Sequence, residues 1–416
     1  MDKKLNFLHL NAYDIRGGAA LAGYRFHKAL QNDGCGSHFI CAAKKSEDPS
    51  VSRIIPGRHG YVVNGLIGMC FNYAGLQAFG YPSSFFLRNS TWVNSWADVI
   101  VLRDLHWWYF SLGVLPQLAL KVPLLWRLPD VWALTGHCCY PYDCDRWKNG
   151  CGQCPDLKQY PELLFDTTHF LWLRKQRIYR KLRDRLVFIS PSRWLQKMIQ
   201  DSPLAAGFRC ERIPTAVDLN IFKPIPQHQA REALGIGPNE KVIMFSAVRL
   251  SDTRKGAKDI VGAVNGLQKK LNAPLLVLPL GHADYDFGFA PGIKVISQGF
   301  VSDEQRLAFC YSAADIYLSM SQADNLPNTH IEAVACGTPV VTLDKGGCRE
   351  TLEPGRSGFA VADEQEAVEA MQQLLTDDGL RQDFSRKARR FAEQNFSMQA
   401  QVEAYVRLAK EMIKNR

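Results

Sequence analysis

The chain has no unbroken apolar run near the ~20 residues that a membrane-spanning helix needs. Its opening apolar stretch, 5–10, is too short for a signal-peptide core, and no small-residue cleavage pattern follows. The start therefore reads as the first β-strand of a cytoplasmic protein. No zinc-finger, RRM or basic-zipper pattern accompanies the positive charge, so no nucleic-acid partner is expected. The glycines near the start, Gly17 and Gly18, are not part of a G-x-G-x-x-G, so a dinucleotide fingerprint is not supported. Residues 60–87 contain no Asp, Glu, Lys or Arg. Two readings follow: a buried helical hairpin, or an apolar surface that meets a lipid-linked acceptor or the membrane.

What is present points to a large soluble globular protein. There are 416 residues, 46% hydrophobic and 22% charged. That composition excludes collagen, low complexity and wholesale disorder, and the length suits two large domains. Charge is unevenly placed. Residues 1–200 carry 25 Lys+Arg against 14 Asp+Glu, a net +11; residues 201–416 carry 25 against 27, a net −2. A basic half suits an anionic membrane surface or a phosphorylated acceptor. Within it, 174–197 has nine Lys/Arg and one Asp, either a solvated basic helix or a surface for anionic lipid or a diphosphate acceptor.

Apolar strand-like runs alternate with amphipathic stretches, as in parallel α/β sheets. Strands are expected at 5–10, 37–42, 97–102, 123–128 and 186–190. A second set is expected at 242–247, 274–280, 294–298, 316–319 and 339–343. Helices are expected at 19–32 and 302–312. Prolines 214, 224 and 226 mark a linker. The expected organisation is a first Rossmann-like domain over 1–215, a second over 216–395, and a C-terminal helix over 396–416 that crosses back to the first.

The residues suited to chemistry lie mostly in the second half. Arg249 and Lys255 follow the strand expected at 242–247, where open α/β sheets bind ligands. A guanidinium fork and an ammonium suit a diphosphate. Further on, Ser-Met-Ser-Gln-Ala-Asp-Asn-Leu-Pro-Asn-Thr-His-Ile-Glu-Ala-Val-Ala-Cys-Gly-Thr-Pro-Val-Val spans 319–341. Asp324 and Glu332 are eight apart, and a turn through Asn325, Leu326 and Pro327 leads into a helix near Asn328. A helix N-terminus points free N–H groups at whatever lies over the turn.

This stretch resembles the acidic signature of retaining glycosyltransferase family 4, with Asp324 replacing the first Glu of Glu-x7-Glu. Arg249, Lys255 and Gly256 resemble that family's diphosphate-binding pair and the glycine after it. Arg16-Gly17-Gly18-Ala19-Ala20 resembles its Gly-rich acceptor-side loop. The cysteine block over 137–155 resembles that of exopolysaccharide and colanic-acid-type members, and the similarity runs along nearly the whole chain. The resemblance implies a GT-B fold, two Rossmann-like domains with parallel sheets facing across a cleft.

It also implies a retaining transfer of a hexose from a UDP- or GDP-sugar to a lipid-linked saccharide, at the inner face of the cytoplasmic membrane. The nucleotide-sugar would be co-substrate, with no cofactor for catalysis. Arg249 and Lys255 would neutralise the leaving diphosphate, Asp324 would bind sugar hydroxyls, and Glu332 the ribose diol. Gly17, Gly18 and the backbone of Asn325, Leu326, Pro327 and Asn328 would approach sugar or phosphate. A nucleotide-sugar epimerase and a non-catalytic binding protein of the same fold are the alternatives.

Two departures stand out. The family's Leu-His-Asp-x-Trp reads Leu128-Pro129-Asp130-Val131-Trp132 here, and its Leu-His-Trp is aligned with Leu102-Arg103-Asp104. Asp130 could take over an orienting role; His106 and His137 are further candidates. Twelve cysteines are present, five of them between 138 and 154. Cys138, Cys144, Cys151 and Cys154 could hold a structural Zn²⁺, remain free thiols or form a disulfide.

Overall fold

The structure, a computed structural model, describes residues 4–55, 57–78, 81, 87, 91–106, 109–249, 253–271, 273–282 and 288–414. It divides into two compact units, 1–214 with 399–416, and 215–398; the sequence placed these borders at 215 and 395.

The first unit is built on seven strands: β1 Asn6–Tyr13, β2 Gly36–Ala43, β3 Val51–Arg53, β4 Val99–Leu102, β5 Leu124–Arg127, β6 Leu186–Ser190 and β7 Arg209–Arg212. They lie in the order β3-β2-β1-β4-β5-β6-β7, all pairs parallel. The second unit has β8 Lys241–Arg249, β9 Leu275–His282, β10 Lys294–Val295, β11 Ile316–Ser319, β12 Val340–Leu343 and β13 Gly358–Val361. Their order is β10-β9-β8-β11-β12-β13, again parallel. Both units are the doubly wound α/β type that the alternating pattern predicts.

Parallel strands are covered on both faces, which is why they read as unbroken apolar runs. In β8, Val242 and Met244 enter one core while Ile243 and Phe245 enter the other. Successive side chains leave a strand on opposite faces, so one apolar run serves both layers. The strand expected over 294–298 is only Lys294–Val295. Its partner strand has Pro279 where a ladder N–H would be, and proline has none to give.

The C-terminal helix, Met398–Lys414, packs on the first unit. Tyr405 lies against Phe26 with ring centroids 4.4 Å apart, and Arg209 pairs with Glu411 at 2.8 Å.

Two expectations for the first unit change. The uncharged stretch is not a buried hairpin over its described part. The helix Arg58–Tyr73 exposes Val62, Val63, Leu66 and Tyr73, while 79–80 and 82–86 lie outside the described residues. Nor is 174–197 a uniformly solvated basic face. Lys175 is buried, its ammonium bonded to the carbonyls of Trp132 and Thr135 and 3.7 Å from the Trp132 ring centre. Burial pulls its pKa down to about 7.

Candidate functional site

In the second unit the chain turns from β8 into a short 3-10 turn, Thr253–Lys255, and then the helix Ala257–Gln268. Gly256 makes that turn possible. Its φ is +69°, and a Cβ there would lie 1.9 Å from the Met320 carbonyl oxygen, at the end of β11. Only glycine lets the two backbones approach this closely. The approach sets Lys255 beside Asp324. The ammonium is 2.5 Å from Oδ2, and Arg254 Nη1 is 3.4 Å from the same oxygen. Arg254 also donates to the Ala323 carbonyl at 3.0 Å.

Asp324 is itself locked in place. Asn325 N–H donates to its Oδ1 at 3.0 Å, and Gly347 N–H to its carbonyl at 2.9 Å. Burial alone would raise the pKa of its carboxyl, but the Lys255 and Arg254 charges outweigh this and hold it below the usual range. The carboxylate is therefore charged at neutral pH, next to two cations. The helix Asn328–Ala335 begins four residues later, with Pro327, which makes no side-chain cap bond, at its N-cap. Glu332, on the buried side of that helix, accepts a hydrogen bond from the Tyr311 hydroxyl at 2.9 Å. His330 is fully buried between Thr351 and the Tyr317 ring; burial drops its pKa to about 3, so it stays neutral.

Asp324, Lys255, Asn325, Leu326, Pro327, Asn328 and Glu332 thus belong to one turn-and-helix region of the second unit. The Arg249 backbone ends β8, but its side chain lies outside the described residues. Arg254 and Tyr311 were not singled out from the sequence. Arg254 could have been found as the third cation in the loop after β8; nothing local marks Tyr311, which is 21 residues from Glu332.

The remaining candidates are in the first unit. Gly17 has φ +86° and caps the helix Gly18–Asn32, again without a side-chain cap. Arg103 is buried, with its guanidinium 5.4 Å from the Phe26 ring centre; burial lowers its pKa to about 10. Asp130 is buried and bonded to His106 Nε2 at 2.9 Å and to the Trp132 N–H at 2.9 Å. Leu105-His106-Trp107 is itself a Leu-His-Trp run three residues beyond the expected place.

All twelve cysteines are free thiols, so the disulfide alternative is not realised. Cys138, Cys144, Cys151 and Cys154 come close enough to disfavour one another's ionisation. Cys151 accepts the Gly136 N–H at 3.1 Å, and Cys154 is 3.3 Å from His137 Nε2. Among the described residues, however, no three of these sulfurs lie within 4.8 Å of one another.

Residues 227–391 match the family described as Glycosyl transferases group 1. The chain is 26% identical over 386 residues to the WcaC colanic acid biosynthesis glycosyl transferase of Escherichia coli K12, covering 88% of this chain and 90% of the relative. Among solved structures, sucrose-phosphate synthase from Thermosynechococcus elongatus has a TM-score of 0.71 at 16% identity, over 99% of this chain and all of the other. Alr3699/HepE from Anabaena, solved with UDP and glucose, has a TM-score of 0.68 at 17% identity, over 98% and 99%. The chain has the GT-B fold, and the stretch that holds the Lys255–Asp324 pair and Glu332 is the one that matches the group 1 glycosyl transferase family.

Proposed function

We propose that this protein is a retaining hexosyltransferase of surface-polysaccharide assembly. It takes the sugar from a UDP- or GDP-sugar held by the second unit and gives it to a lipid-linked saccharide. The observation that carries this reading is the buried Asp324 carboxylate, gripped by Lys255 and Arg254 at the entry to the helix Asn328–Ala335, inside the stretch that matches the group 1 family. The two named neighbours, a colanic acid enzyme and a protein solved with UDP and glucose, agree with the pathway and the donor.

In this reaction the bond from the sugar's anomeric carbon to the diphosphate oxygen breaks, and the acceptor oxygen bonds to that carbon on the same face. The acceptor's hydroxyl proton leaves with the diphosphate. Negative charge grows on the leaving oxygens, and Lys255, with Arg249, neutralises it. Such pre-placed charge is often the largest catalytic contribution. Lys255 has three N–H donors, so it can serve Asp324 and a phosphate together. Asp324 accepts from sugar hydroxyls, and Glu332, steadied by Tyr311, from the ribose diol.

The test is a thermal-shift panel of UDP, GDP, ADP and CDP, with and without EDTA. A ligand at about 100 times its Kd adds ~2.7 kcal/mol. UDP or GDP is expected to raise Tm, by the same increment with EDTA present. A panel in which no nucleotide shifts Tm would sink the donor site.

The acceptor's lipid also suggests a docking face. Among the described residues no helix is long and apolar enough to cross a membrane. The helix Arg58–Tyr73 nevertheless exposes four large apolar side chains, and Leu164, Phe165 and Phe170 are exposed close by. The link between them is direct: Asn72 bonds to the Glu162 carbonyl at 2.9 Å and Thr167 to that of Gly75 at 2.7 Å. With the +11 half, this face suits an anionic bilayer. Flotation with phosphatidylglycerol vesicles should recover most of the protein, and Val63→Asp with Phe165→Asp should release it. Equal recovery of that variant would mean another surface docks.

A further inference from the structure

The chemistry-bearing cluster that the transfer reaction leaves unused lies in the first unit. His106 and Asp104 come from the loop after β4, Asp130 from the loop after β5, and Cys139 from the cysteine block. His106 Nε2 is 2.9 Å from Asp130 Oδ2, 3.0 Å from Asp104 Oδ1 and 3.5 Å from Cys139 Sγ. The ligand atoms of His106, Asp130 and Cys139 all lie within 4.8 Å of one another. These three residues are 9%, 9% and 5% exposed.

Hydrogen bonding alone serves this arrangement poorly. Nε2 carries at most one hydrogen, and a good bond needs that hydrogen aimed at a single acceptor. Three electron-rich atoms crowd it instead. The Asp130 carboxylate and the Cys139 thiol are held beside one imidazole nitrogen out of water, with the partly exposed Asp104 alongside, and such crowding is costly unless positive charge offsets it. A single divalent cation would accept a lone pair from each at once. Around a tetrahedral ion with bonds of 2.0–2.3 Å, ligand atoms stand roughly 3.3–3.8 Å apart, so the observed spacings need to open by only a few tenths.

Behind the ligands, His106 Nδ1 is buried without a hydrogen-bond partner, but the other groups are fixed. Trp132 N–H holds Asp130 Oδ1 at 2.9 Å, which leaves Oδ2 aimed at the imidazole. Val131 N–H holds the Cys139 carbonyl at 3.1 Å, and the Asp104 N–H is bonded to Asn11 Oδ1 at 3.0 Å. Orientation of this kind is what metal ligands require.

We infer that His106 Nε2, Asp130 Oδ2 and Cys139 Sγ bind one divalent first-row cation, zinc above all, with Asp104 or a water as the fourth ligand. One nitrogen, one sulfur and carboxylate oxygen suit a borderline-soft ion of tetrahedral habit. Binding releases the thiol proton and the Nε2 proton to solvent. The ion ties the loops after β4 and β5 to the start of the cysteine block. It is distinct from the four-thiol zinc that the sequence suggests, and it does not depend on the transfer reaction.

The experiment uses the full chain without a histidine tag, stripped of metal and titrated with Co²⁺, a zinc substitute whose thiolate bond gives a near-ultraviolet charge-transfer band. One equivalent is expected to bind, and Zn²⁺ to displace it. Cys139→Ser and His106→Gln should abolish the band, and Cys151→Ser should keep it. A band that survives Cys139→Ser but disappears in Cys151→Ser would place the ion in the four-thiol block and overturn the proposal. Absence of any band in the unsubstituted chain would also overturn it. If circular dichroism shows Cys139→Ser unfolded, Asp130→Asn, which keeps its shape, decides: a tenfold or larger loss of Co²⁺ affinity supports the site, and unchanged affinity refutes it.

Discussion

Lys255→Ala is expected to cut sugar transfer from the nucleotide donor at least tenfold, about 1.4 kcal/mol of transition-state stabilisation. The ammonium is 2.5 Å from Asp324 Oδ2, in a position to meet both that carboxylate and an incoming diphosphate. The substitution has a second effect that must be separated from the first. It leaves the Asp324 carboxylate, largely buried, with the Arg254 guanidinium 3.4 Å away. Breaking one side of a buried pair is costly because the other charge is left uncompensated. Both side chains keep some solvent contact, so a loss of ~1–2 kcal/mol in stability is the reasonable scale.

Adding Asp324→Asn removes the stranded charge. The double variant should recover most of the lost Tm while transfer stays low. Initial rates and melting curves of the three proteins check this. Normal turnover in Lys255→Ala would show that the diphosphate is neutralised elsewhere.

Gly256→Ala is expected to destabilise the second unit by about 3 kcal/mol, a fall in Tm of roughly 6–12 °C. Two costs combine. An alanine at φ +69° pays ~1–2 kcal/mol for the left-handed conformation. Its Cβ would also lie 1.9 Å from the Met320 carbonyl oxygen, which is main chain and cannot rotate away. Relieving such overpacking costs ~1–3 kcal/mol. Any relief moves the neighbouring Lys255 from Asp324, so transfer should fall as well. Gly355→Ala is the control. Its φ is +75°, but nothing lies within 4 Å of the added Cβ, so only the conformational cost applies. Equal melting temperatures for the two variants would refute the close-approach argument.

Much of the architecture could be read directly. The strands expected at 186–190 and 316–319 match β6 and β11 to the residue, because each is a short run of apolar residues that must be buried on both faces. The helix expected from 19 begins at Gly18. The acidic signature placed Asp324, Asn325 to Asn328 and Glu332 in one turn and helix, since all lie within nine residues of one another. The uncharged stretch was harder. Its composition shows only that no charge is present, and an apolar helix looks the same whether its outer face meets protein, water or lipid. Val62, Val63 and Leu66 are exposed because none of the described residues covers that face of their helix.

What the sequence determined by itself is local: the strand–turn–helix rhythm and the two-unit α/β class. Period and turn chemistry are written in neighbouring residues, and a parallel sheet needs little more. What only the tertiary structure decided is partnership across the chain. Lys255 meets Asp324 from 69 positions away because β8 and β11 are adjacent in the sheet. Tyr311 meets Glu332 across two packed helices, and His106 meets Asp130 because β4 and β5 are neighbours. Cys139, in the same cysteine block, is turned toward His106. Spacing along a loop sets which atoms can reach one another; the packing of the strands beneath it sets which ones do.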